Sequence, residues 1–118
     1  LKVVDDQVGS PTYTKDLAKA ICALLDKVFV QRKNTQYSIL NTQYGIYHVS
    51  NSGSVSWHDY AKEILKLAKS QTKVASISSK ELDRPAKRPK MSILDNSKFV
   101  KFTGYKMRNW QEALEEYA

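Results

Sequence analysis

Val3-Val4-Asp5-Asp6-Gln7-Val8-Gly9-Ser10-Pro11-Thr12-Tyr13-Thr14, continuing through Asp16-Leu17-Ala18, is the stretch that decides the fold. Leu1 to Val4 is apolar and partly β-branched, which suits a short buried strand. Asp5 to Pro11 is polar and turn-rich, so it connects elements rather than forming one. Leu17, Ile21, Leu24, Leu25 and Val28 then recur at helical spacing and predict a helix to about Val28. Thr12 or Thr14 can cap that helix, because a hydroxyl accepts a free N–H of the first turn, and the Asp16 carboxylate suits the positive end of the helix dipole.

Downstream the elements keep alternating. Gln31 to Gln43 is polar and patternless, a surface loop. Gly45 to Val49 predicts a second strand, ended by Ser50-Asn51-Ser52-Gly53. Ser56 and Asp59 resemble a capping box with a shorter acid, and Trp57, Tyr60, Ala61, Ile64, Leu65 and Ala68 form the apolar stripe of the helix that follows. Lys73 to Ser78 alternates weakly, through Val74 and Ile77, as a third strand would. Prolines restrict the residues before them, so Arg84-Pro85 and Arg88-Pro89 make Glu81 to Lys90 an extended segment. Asp95 caps a short helix through Val100 that Gly104 ends. Asn109 and Glu112 open a last helix whose buried face is Trp110, Ala113, Leu114 and Tyr117. This order predicts an α/β domain over residues 1–118, with a small, partly parallel sheet packed with three or more helices.

Composition bounds the function. In 118 residues, 42% are hydrophobic and 26% charged, the balance of a globular chain and not of a disordered one. Nineteen Lys and Arg against 12 acids leave a net charge of +7, which suits an anionic partner. A lone cysteine, Cys22, makes no internal disulfide and fits a reducing compartment. No apolar run approaches the roughly 18 residues of a membrane span, so a cytoplasmic protein without membrane contact is expected. The chain opens directly on a strand, without an initiator Met, and is read as part of a longer protein.

Few catalytic devices are visible. Gly9, Gly45, Gly53 and Gly104 lie too far apart to cradle a phosphate together. None of the seven tyrosines is followed four residues later by lysine, so a Tyr-x-x-x-Lys proton-transfer pair is absent. His48 and His58 lack partners at metal-ligand spacing and read as packed or solvated side chains. Asp5 and Asp6 point opposite ways in a solvated turn. Trp57 and Trp110 start apolar stripes and read as core anchors, not stacking platforms. Arg84, Lys87, Arg88 and Lys90 crowd one segment: a solvated loop, a nucleic-acid contact or a diphosphate site. Without interleaved aromatics or a recognition helix, nucleic acid is the weakest of these, while arginine's planar fork suits phosphate oxygens.

Four blocks, taken together, resemble one known family. The opening stretch through Ala18 is joined by Gly45-Ile46-Tyr47-His48-Val49-Ser50-Asn51-Ser52-Gly53 with Ser56-Trp57. Lys87-Arg88-Pro89 with Ser92 and Leu94-Asp95-Asn96, and Trp110 with Ala113-Leu114, complete the set in order. The pattern is similar to the C-terminal lobe of dTDP-4-dehydrorhamnose reductases, extended short-chain dehydrogenase/reductases. The regulatory subunit of methionine adenosyltransferase shares much of it, so a non-catalytic subunit on this fold is the alternative.

The resemblance implies a substrate-binding lobe for a dTDP-sugar, working beside its own N-terminal Rossmann domain. That domain would hold NADPH or NADH and the catalytic pair. The lobe itself would carry no catalytic residue, bind no cofactor or metal, and be inactive alone; a homodimer is one assembly it implies. Gln7, Pro11, Thr12 and Tyr13, on the turn beyond a strand's carboxyl end, would line the sugar-nucleotide cleft, with Gln7 both donor and acceptor. A rigid connector touching no ligand is the other reading of that turn. Arg88 would hold the diphosphate, or else pair with Asp95 or a helix C-terminus and pin its loop. The loop 31–43 is longer than the family's usual link, which puts oligomer contacts near it in doubt.

Overall fold

The computed structural model describes residues 1–33 and 45–118. In chain order its elements are β1 (Lys2–Val4), β2 (Val8–Gly9), α1 (Thr14–Lys33), β3 (Val55–Ser56), α2 (Trp57–Leu67), β4 (Ala75–Ile77), α3 (Ser79–Leu82), α4 (Ser97–Thr103) and α5 (Trp110–Tyr117). The architecture is α/β, as expected. β1 pairs in parallel with β4, Val4 opposite Ile77, and β2 pairs antiparallel with β3, Val8 opposite Ser56. Parallel partners need a long crossover, and here it contains both α1 and α2. The Val8 carbonyl also accepts the Ser92 N–H at 2.9 Å, which brings the segment after the prolines beside β2.

The core sits where α1 crosses α4. Phe99 and Ala20 are fully buried with Met107, and Leu24, Tyr47, Val49, Val100 and Tyr105 pack around them. The small Ala20 lets α1 approach the Phe99 ring closely. Consequently α1 turns its inner face away from the expected leucine stripe: Asp16 and Ala20 point inward, while Leu17, Ile21 and Leu25 are exposed. α1 also outruns Val28 and reaches Lys33, so Gln31, Arg32 and Lys33 are helical where a loop was expected. The rest of that expected loop lies outside the described residues.

Several other expectations are corrected. Gly45 to Val49 is not a strand: no strand pairs with it among the described residues, and side chains take up its flanking polar groups. Lys98 Nζ donates to the Ile46 carbonyl at 3.0 Å, and Asn96 accepts from Ser50 N–H at 3.1 Å while donating to the Ser50 carbonyl at 2.7 Å. Thr12 does not cap α1, because its hydroxyl accepts the Asn51 N–H at 3.1 Å and donates to the Ser10 carbonyl at 3.0 Å, and Thr14 is already the first helical residue. Glu81 to Lys90 is not wholly extended. Ser78 and Glu81 close a reciprocal capping box that starts α3.

α4 is entered through Asn96 and ends at Thr103, beyond Val100, with Gly104 in the left-handed region as expected; Asp95 instead accepts the Ser97 N–H at 2.9 Å. Asn109 caps α5 through the Gln111 N–H, and Tyr117 is exposed while Trp110, Ala113 and Leu114 are buried. Asp5 stays exposed, as a solvated turn requires, but both carboxylates also hold the turn to β4 and α3. Asp5 accepts from the Ser76 hydroxyl, and Asp6 from Ser79 N–H at 3.0 Å and its hydroxyl at 2.6 Å.

Candidate functional site

The turn after β1 is held on both sides. Gln7 Nε2 donates to the Ser79 hydroxyl at 2.8 Å, and the Gln7 backbone carbonyl accepts the Trp57 N–H at 3.2 Å. That second bond pins the first turn of α2 against the β1–α1 connection. Ser56 caps the same turn by accepting the Asp59 N–H at 3.1 Å. The hydrogen bond from the Ser56 hydroxyl, more than any other contact, holds the Asp59 carboxyl below its ordinary range.

Between β1, α2 and the basic segment runs an open groove of about 640 Å³. Gln7, Trp57, Tyr60, Ile64, Arg84 and Arg88 are among its walls. A volume of this order is that of a small-molecule site. Gln7, Arg84 and Arg88 also border an adjoining cleft of about 380 Å³, where Lys80, Lys87 and Lys90 add positive charge. Asp6 faces this cluster; its hydrogen bond from Ser79, helped by the charge of Lys90, holds its carboxyl below the ordinary value. Arg88 is exposed and makes no ion pair with Asp95, whose carboxylate is engaged by Ser97. An uncommitted guanidinium beside an apolar wall can pair with an anionic ligand without first breaking a contact of its own.

Pro11, Thr12 and Tyr13 stand elsewhere. They line an aromatic pocket of about 200 Å³ with Tyr60, Trp110 and Tyr117. The five expected ligand residues therefore divide into two groups, Gln7 with Arg88 and Pro11 with Thr12 and Tyr13, and Tyr60 is the wall common to both cavities. Asn51 secures the second group: its Oδ1 accepts the Tyr13 N–H at 2.8 Å and its Nδ2 donates to Asp16 at 2.9 Å.

The residue that sequence reasoning misjudged is Trp57. It was expected in the core, yet 49% of it is exposed, and α2 contains no fully buried residue. Periodicity identifies the apolar face of α2 but not what covers it, and here that face forms the groove wall. Trp110, by contrast, is the anchor it was expected to be, at 5% exposure. Tyr60 bridges the two indoles, edge-to-face with both, at 6.1 Å from Trp57 and 5.6 Å from Trp110.

The sequence model of the RmlD substrate binding domain family matches residues 1–118. The chain belongs to that family. Among curated relatives, the spore coat polysaccharide biosynthesis protein SpsK of Bacillus subtilis is 38% identical over 99% of this chain and 36% of its own length. Two crystal structures of dTDP-4-dehydrorhamnose reductases superpose on the chain with a TM-score of 0.80. That from Clostridium acetobutylicum is 41% identical, and that from Bacillus anthracis, solved with NADP, is 37% identical; each match covers 99% of this chain and 37% of the other. The chain thus spans little more than a third of the length of the relatives it matches. Among the described residues of this RmlD-type domain, no cluster of three or more His, Cys, Asp or Glu forms a metal site, and no helix is long and apolar enough to cross a membrane. Its four glycines, Gly9, Gly45, Gly53 and Gly104, occupy separate segments.

Proposed function

We propose that this chain is the sugar-nucleotide-binding lobe of a dTDP-4-dehydrorhamnose reductase, holding a dTDP-linked 4-keto sugar for reduction to the rhamnose form. The observation that carries the reading is the groove flanked by Gln7, Arg84 and Arg88, where an apolar wall meets uncommitted guanidinium groups. Arg88 takes the diphosphate bidentately, and Gln7 offers the unused oxygen of its amide to a hydroxyl or base edge. The Pro11-Thr12-Tyr13 turn borders the same ligand through the pocket it shares with Tyr60.

The lobe works with a Rossmann domain of the same polypeptide, in keeping with the third of each relative's length that it spans. A nicotinamide cofactor on that domain supplies the hydride; the residues here bind and orient the sugar nucleotide. The lobe alone turns over no substrate. A cytoplasmic setting suits a sugar-nucleotide substrate and a single thiol, Cys22. The relatives lend no support to the regulatory-subunit alternative.

The test is Arg88→Ala in the full-length protein, with melting temperature measured beside kinetics. A charge-assisted contact to phosphate is worth about 1.5–3 kcal/mol, so KM for the dTDP-sugar should rise roughly ten- to a hundred-fold at unchanged melting temperature. An unchanged KM would remove Arg88 from the site.

A further inference from the structure

Trp57 combines two properties that seldom meet in one side chain: it is held rigidly and yet half open to solvent. Its backbone N–H is bonded to Gln7, Ser56 caps its helical turn, and its ring packs edge-to-face on Tyr60, which in turn packs on the buried Trp110. The aromatic chain therefore runs from the core out to the groove and ends in an indole with 49% of its surface exposed. Most half-exposed tryptophans would be expected to use the freedom that solvent allows. This one is braced from behind, and what it presents outward is an apolar plane.

The same groove carries charge. Arg84 and Arg88 line it together with Trp57, and Lys2 adds a further cation. An apolar plane and a pair of guanidinium groups in one cavity match a ligand with a planar apolar part and a dianionic part. Neither an apolar peptide nor a simple phosphate needs both. A nucleoside diphosphate does.

Resting on the function proposed above, we infer that Trp57 is the stacking platform for the pyrimidine base of the sugar nucleotide, and that Arg84 shares the diphosphate with Arg88. The base lies against the exposed indole, where stacking needs only a π-face. The braced ring loses little freedom on binding, so the stack forms at low entropic cost. Tyr60 is a positioning residue here, acting through the Trp57 ring it supports.

The experiment uses the full-length protein, with thymidine diphosphate and inorganic pyrophosphate as probes in calorimetry and tryptophan fluorescence. Thymidine diphosphate should quench the emission of Trp57, and W57F should lose that quench while binding nearly as tightly. W57L keeps an apolar side chain but no plane; it should bind thymidine diphosphate roughly ten- to a hundred-fold more weakly and leave pyrophosphate binding unchanged. R84A should weaken both probes. Melting temperatures close to the parent's are expected throughout, because Trp57 and Arg84 are exposed. Parent-like thymidine diphosphate binding by W57L, with R88A impaired, would overturn the platform and leave the proposed function standing. Failure of the parent itself to bind thymidine diphosphate would overturn both.

Discussion

Arg108 Nε donates to Asp16 Oδ2 at 2.8 Å, joining residues 92 positions apart in the chain. The same oxygen accepts from Asn51 Nδ2 at 2.9 Å, and Arg108 Nη1 reaches Glu116 at 2.7 Å. One buried carboxylate, 3% exposed, thus ties the start of α1 to the Asn51 segment and to the entry of α5. Removing Asp16 leaves Arg108 with Glu116 alone and strips the buried Asn51 amide of its carboxylate acceptor. Asp16→Ala should cost about 3 kcal/mol, read as a lower denaturant midpoint at constant slope. A loss below about 1 kcal/mol would reduce the network to a surface-type pair.

The network also sets an acid limit. Burial opposes the charge of Asp16, but hydrogen bonds from Arg108 and Asn51 outweigh it, and the carboxyl sits below its ordinary 3.8. Asp6, Asp59, Glu81 and Asp95 are lowered as well, by hydrogen bonds from neighbouring serines. A carboxyl with a depressed folded-state pKa stabilises the fold above its unfolded value, and that contribution is lost as pH falls through the folded one. Stability should therefore be flat near neutrality and fall below about pH 4. Urea midpoints measured from pH 7 to pH 3 check this, and Asp16→Asn should flatten the fall.

Asn51 supports the turn beside the aromatic pocket. It is 1% exposed, and both ends of its amide are used, toward Tyr13 and Asp16. Asn51→Asp keeps the shape but turns a donor into an acceptor facing the Asp16 carboxylate. The variant should be destabilised by about 2–3 kcal/mol at pH 7 and partly recover near pH 4.5, as the new carboxyl gains a proton. Thermal melts at the two pH values decide it. Equal destabilisation at both would mean that the charge on the new carboxyl at position 51 is immaterial.

Two glycines separate backbone strain from crowding. Gly104 has φ +76° and nothing within 4 Å of an added Cβ, so Gly104→Ala pays only for the left-handed backbone, about 1 kcal/mol. Gly53 has φ +82° and would place that Cβ 3.0 Å from Trp110 Cδ1, so Gly53→Ala should cost measurably more. Equal losses in denaturant titrations would show that Trp110 yields.

Much of the fold was legible because it rests on local rules. The first strand and the helix after it, the Ser56 cap, the Gly104 stop and the Asn109 start each depend on residues a few positions apart. The Ser78–Glu81 box is equally local, and its pattern was present to be read. Gly45 to Val49 misled because β-favouring residues before a turn describe one strand, whereas a strand exists only when a second backbone accepts its hydrogen bonds. For the candidate site, the sequence named residues but not their grouping: Gln7 and Arg88 stand on one groove, while Pro11, Thr12 and Tyr13 line another cavity, a division set by long-range packing.

By itself, then, the sequence determined the α/β class, the Ser56 and Asn109 caps, the Gly104 stop, the family pattern and the excess of positive charge. These follow from steric preference, hydrogen-bond chemistry and composition, none of which depends on distant residues. Only the tertiary structure decided which apolar faces are buried. Ala20 rather than Leu17 turns inward because α1 packs against Phe99, and Trp57 opens onto a groove because no described element covers α2 there. Burial is a property of pairs of surfaces, and half of each pair lies far away in the chain.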